Sequence, residues 1–437
     1  MLTRFILIST LFLSLISAEK FTLEKLCKKG IDSNPKIKSF AYKVSASNSF
    51  YDQSIDQYKP HFNIDGQYGK QKYTLESTNT VQDFNGVTHQ YQFTLNQPIY
   101  RAKFLEAITD AEERITLSKL IEEDEKAKLT TQILQSSFEL IRLRETIQIL
   151  SQKEKILEKA YKNIEKKHKL KLASRVDQYQ SLSMLKQSNS DLVIARQTYN
   201  HMSFNLKMLT KLDNVEKYIK TLEFNIEAIK QAFKKVNISH LKSQYIQNTR
   251  VKLERQTVKI AKVQIDLRAS ERHPNIDLVV SYGDSGGTLD ATVRQDDSRA
   301  MLTLNFPLYQ GGYVSDRVEE ARYLSLSAEE SAENVEMSVK ISLEKKIQDI
   351  RSGIESVDAE MIAVQASKKY FDAATVSYQN GLGSLTDAYL AEADYHDNRL
   401  RSIKAQTALF TALAEIYYYS GIADIKHIQT LQKKYFR

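Results

Sequence analysis

The sequence predicts a mainly α fold with four transmembrane-type β-strands, in which long coiled-coil-like helical hairpins are joined to paired strands. Three observations carry that expectation. Only 13 glycines and 5 prolines punctuate 437 residues, which favours long helices over many short elements. Two stretches, 103–170 and 313–379, contain no proline and space apolar residues in steps of three and four, the heptad pattern of coiled-coil packing. Landmarks also recur in the same order in both halves, so the chain reads as two copies of one strand-and-long-helix unit.

The first eighteen residues read as a cleaved signal peptide. Arg4 supplies a basic start, Phe5 to Ile16 an apolar core, and Ser17-Ala18 a small-residue cleavage site before Glu19-Lys20. The apolar run is shorter than the roughly 20 residues a membrane-spanning helix needs, and no later stretch approaches one. Any membrane crossing would therefore use strands. Cys27, the single cysteine, excludes an internal disulfide and reads as a helix thiol rather than a lipid-bearing one. The net charge of +8 comes from lysines spread along mixed-charge helices such as Lys153 to Lys171. With no basic block interleaved with stacking aromatics, no nucleic-acid partner is expected.

The duplication organises the rest into a first repeat over 19–218, a second over 219–421 and a C-terminal tail over 422–437. Asn34 and Asn248, Pro60 and Pro274, and Tyr68-Gly69 and Tyr282-Gly283 each recur at a separation of 214 residues. Phe93–Tyr100 then matches Leu302–Tyr309 at 209, and Ser174-Arg175-Val176-Asp177 matches Ser384-Leu385-Thr386-Asp387 at 210. The drop from 214 to 209 falls between the paired strands, so the first strand hairpin is five residues longer.

Strands are expected at about 60–70 and 88–98, and again at about 274–284 and 299–308. Phe62, Ile64 and Tyr68 alternate with polar residues, as do Tyr91, Phe93 and Leu95. The second copy repeats this with Ile276, Leu278, Val280 and Tyr282, then Leu302, Leu304 and Phe306. Period-two alternation makes one apolar and one polar face; in a barrel these meet lipid and lumen. The polar stretches 70–92 and 284–301 are expected as surface loops. Four strands cannot close a barrel, which takes about eight or more, and lipid does not tolerate open edges. If the strands lie in a membrane, several chains must share one barrel.

Each second strand leads into a long helix and then a shorter one, near 176–211 and 385–419. One seam runs Leu140, Leu143, Ile147, Leu150, Glu154, Leu157, Tyr161, Ile164, and another Leu343, Ile347, Ile350, Ile354, Val357, Met361, Val364, Lys368, Phe371. At about 1.5 Å per residue the longer helices reach about 100 Å, a length suited to crossing a periplasm. The hairpin tips fall near 170–176 and 380–386. Asp177 and Asp387 sit in the first turn of the outgoing helices, where the helix dipole favours a carboxylate.

Phe21-Thr22-Leu23-Glu24 with Asn34-Pro35, the duplicated strand units, Asn305-Phe306-Pro307-Leu308-Tyr309-Gln310-Gly311-Gly312, and the Tyr-x-x-Gly tip from Tyr378 to Gly381 leading to Asp387 together carry a resemblance. Over about 21–421 the chain resembles the TolC-type outer-membrane efflux protein family (outer membrane factors). The resemblance implies a homotrimer in the outer membrane, with a 12-stranded β-barrel and a tapering periplasmic α-helical barrel. It implies a passive exit duct of a tripartite efflux or type I secretion system, working with a periplasmic adaptor (membrane fusion) protein and an inner-membrane pump. It assigns Asp177 and Tyr378 to a periplasmic gate and Asp387 to an acidic constriction ring; three carboxylates around an axis favour cations. Two departures stand out: the family's gate arginine falls on Gly383 and its second ring aspartate on Leu390, with Arg175 on the opposite tip placed to compensate.

Gly283-Asp284-Ser285-Gly286-Gly287 reproduces the nucleophile motif of trypsin-like proteases, but such a site needs a histidine base and a compact β scaffold, and no histidine is near in sequence. The eight histidines form no metal-spaced cluster and no glycine-rich phosphate loop opens a helix, so neither an enzyme nor a cofactor is expected. The rival reading is a periplasmic or surface coiled-coil scaffold without a channel.

Overall fold

The computed structural model describes residues 22–436 except 78–79, 221, 236 and 289–294; the expected signal peptide at 1–18 lies outside the described residues. Helix α1 (Leu23–Ser33) starts at Thr22, whose side chain accepts from Lys25 N, and α2 (Pro35–Asp56) starts at Asn34. Strands β1 (His61–Ser77) and β2 (Thr80–Arg101) follow, then the hairpin of α3 (Ala102–Lys169) and α4 (Arg175–Thr210). A short-helix segment carries α5 (Ile226–Lys235) and α6 (Ile238–Ser243) before α7 (Thr249–Ala269). Strands β3 (Asn275–Gly287) and β4 (Gln295–Asn305), the hairpin of α8 (Tyr313–Gln379) and α9 (Leu385–Tyr419), and α10 (Ile425–Tyr435) complete the chain.

The repeated asparagines show what the duplication preserves. Asn34 Oδ1 accepts from Lys36 N at 2.9 Å and its Nδ2 donates to Leu209 O at 3.0 Å. Asn248 does the same with Arg250 N at 2.9 Å and Tyr418 O at 2.8 Å. Each buried asparagine thus caps the helix that enters the strands and ties it to the end of the hairpin that returns from the tip.

The four strands form one antiparallel sheet in the order β1-β2-β3-β4. Its register aligns Phe62 with Leu95, Leu95 with Val280, and Val280 with Ala300; the next row aligns Ile64, Phe93, Tyr282 and Ser298. One face is therefore apolar across all four strands, and it is exposed: Phe62 at 75%, Tyr68 at 82% and Leu302 at 70%. The opposite face carries Asn63, Thr94, Ser281 and Arg299 in one row. The reading of 70–92 and 284–301 as surface loops is corrected over the described residues, outside which 78–79 and 289–294 lie. The β1–β2 ladder runs on to the pair Ser77↔Thr80, and the β3–β4 ladder to Ser285↔Gln295. Side-chain polarity decides which faces meet water, while backbone pairing continues regardless; past Tyr68 and Tyr282 the clean alternation is lost although residues such as Val81 remain apolar and exposed. At its other end β4 stops at Asn305, short of the expected 308.

The helices match the proline-free stretches. Within the seams Leu140, Leu143, Leu150, Leu157 and Ile164 on α3 are buried, as are Leu343, Ile347, Ile350 and Val357 on α8. α3 packs on α4, α9, α2 and α7, and α8 on α9 and α7. The main core lies midway along the hairpins, where α1, α10 and the short-helix segment girdle them. Phe138, Phe224, Phe410 and Phe436 interlock there, with Phe224 and Phe410 centroids 4.3 Å apart. Arg144 fastens the girdle by donating to the carbonyls of Ile219, Lys220 and Leu222. Residues 422–437, expected as a tail, instead contain α10, whose Ile428 and Leu431 are fully buried. Cys27 is buried in the same core, and burial pushes its thiol up to about 12, so it is an inert thiol at neutral pH. Among the described residues no helix is long and apolar enough to cross a membrane.

Candidate functional site at the helical tips

Both tips end their incoming helix in the same way. Leu172 N donates to Lys167 O at 2.8 Å and Lys171 N to His168 O at 2.9 Å; Leu382 N and Gly381 N repeat this with Ser377 O and Tyr378 O. This closure requires a left-handed residue, supplied by Lys171 at φ 59° and Gly381 at φ 75°. The outgoing helices are capped by Ser174 and Ser384, whose hydroxyls accept from Asp177 N and Asp387 N, each at 3.1 Å. At the first tip the bond is reciprocated: Asp177 Oδ2 accepts from Ser174 N at 3.0 Å, completing a capping box. Hydrogen bonds from the Ser174 hydroxyl and backbone hold the Asp177 carboxyl below its ordinary range. Asp387 is exposed.

Asp177 also lines a cleft of about 80 Å³ between the two hairpins, walled by Leu157, Ile164, Met184, Tyr389 and Leu390. Tyr378 is not among Asp177's partners within the chain; it lies instead beside Tyr389. Burial pushes the Tyr389 phenol up, with Tyr378 and Glu392 adding to the effect, and burial likewise raises the Glu392 carboxyl against the pull of Lys159. Tyr389 therefore shares the cleft with Asp177 and feels Tyr378 electrostatically. Sequence reasoning passed over it, because nothing in its local pattern separates it from other helix aromatics. Arg175 is exposed, with its guanidinium 5.9 Å from the Tyr179 ring centroid. A side chain at Gly383 would begin 2.9 Å from Ser377 Oγ, at the position where the family resemblance places an arginine and where the first tip carries Ala173. Leu390 is partly exposed at the cleft.

Further up the hairpins Lys153 Nζ reaches Asp397 Oδ1 at 2.6 Å across α3 and α9. Beside it His396 is buried, and its Nδ1 has no hydrogen-bond partner among the described residues. The protease-like motif also resolves. A histidine does stand near it, with His89 Nε2 3.6 Å from Asp284 Oδ1. Successive strand residues point to opposite faces, so Ser285 faces away from both and no triad forms. The glycines serve close packing: a Cβ on Gly287 would lie 2.1 Å from Val87 O. Among the described residues no group of three or more His, Cys, Asp or Glu could hold a metal ion.

A profile of the outer membrane efflux protein family matches residues 245–421. The outer membrane protein TolC of Salmonella enteritidis is 26% identical over 223 residues, covering 49% of this chain and 45% of that protein. The chain thus spans about half the length of the curated relatives it matches. The solved CmeC outer membrane channel of Campylobacter jejuni superposes with a TM-score of 0.77 at 13% identity, covering 94% of this chain and 89% of that one. VceC, an outer membrane protein of Vibrio cholerae, superposes at 0.74 and 14% identity, covering 91% and 96%. At such identities the structural likeness shows a common fold, and it extends over both repeats.

Proposed function

We propose that the chain is a member of the outer membrane efflux protein family and that it is the outer-membrane exit duct of a tripartite efflux or type I secretion system. The observation that carries this is the sheet: four strands with two open edges and an apolar face exposed at Phe62, Ile64, Tyr68, Phe93, Tyr282 and Leu302, joined to hairpins about 100 Å long. Such a sheet has no place in water, and none in lipid unless its edges are closed. Three copies would supply the strands of a 12-stranded barrel, with polar residues such as Asn63, Thr94 and Arg299 lining the lumen. The hairpins would continue the passage through the periplasm.

The chain's own part is to provide a wall and a constriction; no chemical step is assigned to it. Leu172, Val176 and Leu382 are exposed at the tips and offer an apolar surface for a periplasmic adaptor, which would link the duct to an inner-membrane pump. Cargo selection is left to the pump. Asp387 would ring the axis with three carboxylates, and Asp177, Tyr378 and Arg175 would form the gate. Closure would bring Tyr378 around Tyr389 so that its hydroxyl donates to Asp177 in competition with Ser174. Asp387→Asn is expected to weaken block by a trivalent cation about tenfold in planar bilayers, a loss of ~1.4 kcal/mol; unchanged block would remove the ring assignment.

The scaffold alternative separates cleanly by fractionation. The duct predicts a heat-modifiable oligomer in the outer-membrane fraction of the producing cell. A soluble periplasmic monomer would contradict it.

A further inference from the structure

We infer the strand register by which one copy joins the next, an inference that rests on the reading of a shared barrel. The duplication adds 214 to carry β1 onto β3 and 209 to carry β2 onto β4. The sheet tests those offsets independently. Phe62 pairs with Leu95, and the two offsets send this pair to Ile276 and Leu304, which are indeed partners. The same operation sends the seam between β2 and β3 to a seam between β4 and the β1 of a neighbouring copy.

The β2–β3 seam pairs Phe93 with Tyr282, Thr94 with Ser281, and Leu95 with Val280. Carried over, Leu302 stands opposite Tyr68 of the neighbouring copy, Thr303 opposite Gln67, and Leu304 opposite Gly66. Every residue of β4 then has a partner within 65–75 of β1. The apolar faces coincide, whereas a slip of one residue would invert every side chain of one strand. Slips of two keep the faces aligned, and it is the duplication that chooses among them. Near the outer end Asp296 falls diagonal to Lys72 of the neighbouring copy, within reach of a favourable cross-strand pair.

Two further features agree. β2 continues through Gln97–Arg101 because β3 lies beside it, with Pro98 opposite Asp277 and Tyr100 opposite Ile276. The matching residues 306–310 are not strand within one chain, and Leu308 and Tyr309 are 84% and 89% exposed. In the shared register Pro307 meets Asn63 and Tyr309 meets Phe62 of the neighbouring copy, so β4 lengthens and these apolar side chains join the barrel wall. The Arg101–Asp277 pair, bonded at 2.9 and 2.8 Å across β2 and β3, maps onto Gln310 and Asn63. A charged donor–acceptor pair becomes an amide pair at the equivalent place.

Cysteine pairs test the register on the full-length protein in isolated envelopes. Thr303→Cys with Gln67→Cys is expected to form disulfide-linked oligomers under mild oxidation, because directly opposed strand residues satisfy disulfide geometry. Thr303→Cys with Asp65→Cys, and with Gly69→Cys, should link at least roughly fivefold less, since diagonal neighbours lie beyond normal bridging distance. Thr94→Cys with Ser281→Cys should form its bond within one chain and reports folding. Preferential linking of an offset pair overturns the register and leaves the barrel reading standing. Absence of any oligomer while the intrachain pair still forms overturns both. As a second readout, Asn63→Asp with Gln310→Arg transplants the ion pair and should raise the temperature at which the oligomer dissociates above either single change. No gain over the single changes would count against the register.

Discussion

At the scale of residues, the left-handed positions show how one geometry is met twice with different side chains. Lys171 and Lys211 have φ of 59° and 55°, and their counterparts in the second copy are Gly381 and Gly421 at 75° and 71°. An L-residue in that conformation is strained by about 1–2 kcal/mol. Glycine removes the strain at some entropic cost. Lys171→Gly is therefore expected to stabilise the first tip by about 0.5–1 kcal/mol, read as slower amide exchange at 166–178; faster exchange would contradict it. His396 makes a second case. Burial, reinforced by Arg399 and Lys153 and opposed by Asp397, pushes its imidazole down to about 4. The unfolded chain takes up that proton near 6.5, so stability is held above that pH and lost as pH falls toward 4. The melting temperature should fall less between pH 7 and 4.5 in His396→Leu than in the parent, and parallel curves would show that His396 is not the group responsible. The first-turn places of Asp177 and Asp387, beside the capping Ser174 and Ser384, were legible from position alone. The gate proposed for Asp177 and the ring proposed for Asp387 were not, because a contact across tips depends on how hairpins approach, and no local pattern encodes that.

At the scale of elements, periodicity carried most of the information. The heptad seams located α3 and α8, since a long apolar stripe has one way to be buried. Strand starts were legible from alternation at Phe62 and Ile276. Their far ends were not, because beyond Tyr68 and Tyr282 the strict period-two alternation breaks down while the backbones still pair. Helix α10 was missed although Ile425, Ile428, Leu431 and Tyr435 stand at helical spacing. So short a helix is held by the core it docks on rather than by its own propensity. That core is centred on Phe138, which is fully buried against three other phenylalanines. Phe138→Ala is expected to destabilise the girdle by ~3–5 kcal/mol in denaturant titration followed by circular dichroism. A loss under about 1 kcal/mol, as for a peripheral side chain, would show that the cluster does not hold α10 and the hairpins together.

At the scale of the whole molecule, the duplication turns a history into an assembly rule. In the proposed assembly one seam inside the chain prescribes the seam between chains, and two hairpins per copy would supply the tunnel wall. The need for several copies was legible from strand count, since four strands cannot close on themselves. Their number came only through family resemblance, because no single-chain feature counts protomers. The central claim is that these copies enclose a water-filled passage. The most direct measurement is single-channel recording of the detergent-extracted oligomer in a planar bilayer. Discrete, ohmic conductance steps are expected, and they should disappear when the oligomer is dissociated by heat before addition. A purified, intact oligomer that inserts without conducting, or a chain recovered only as a monomer that never inserts, would contradict it.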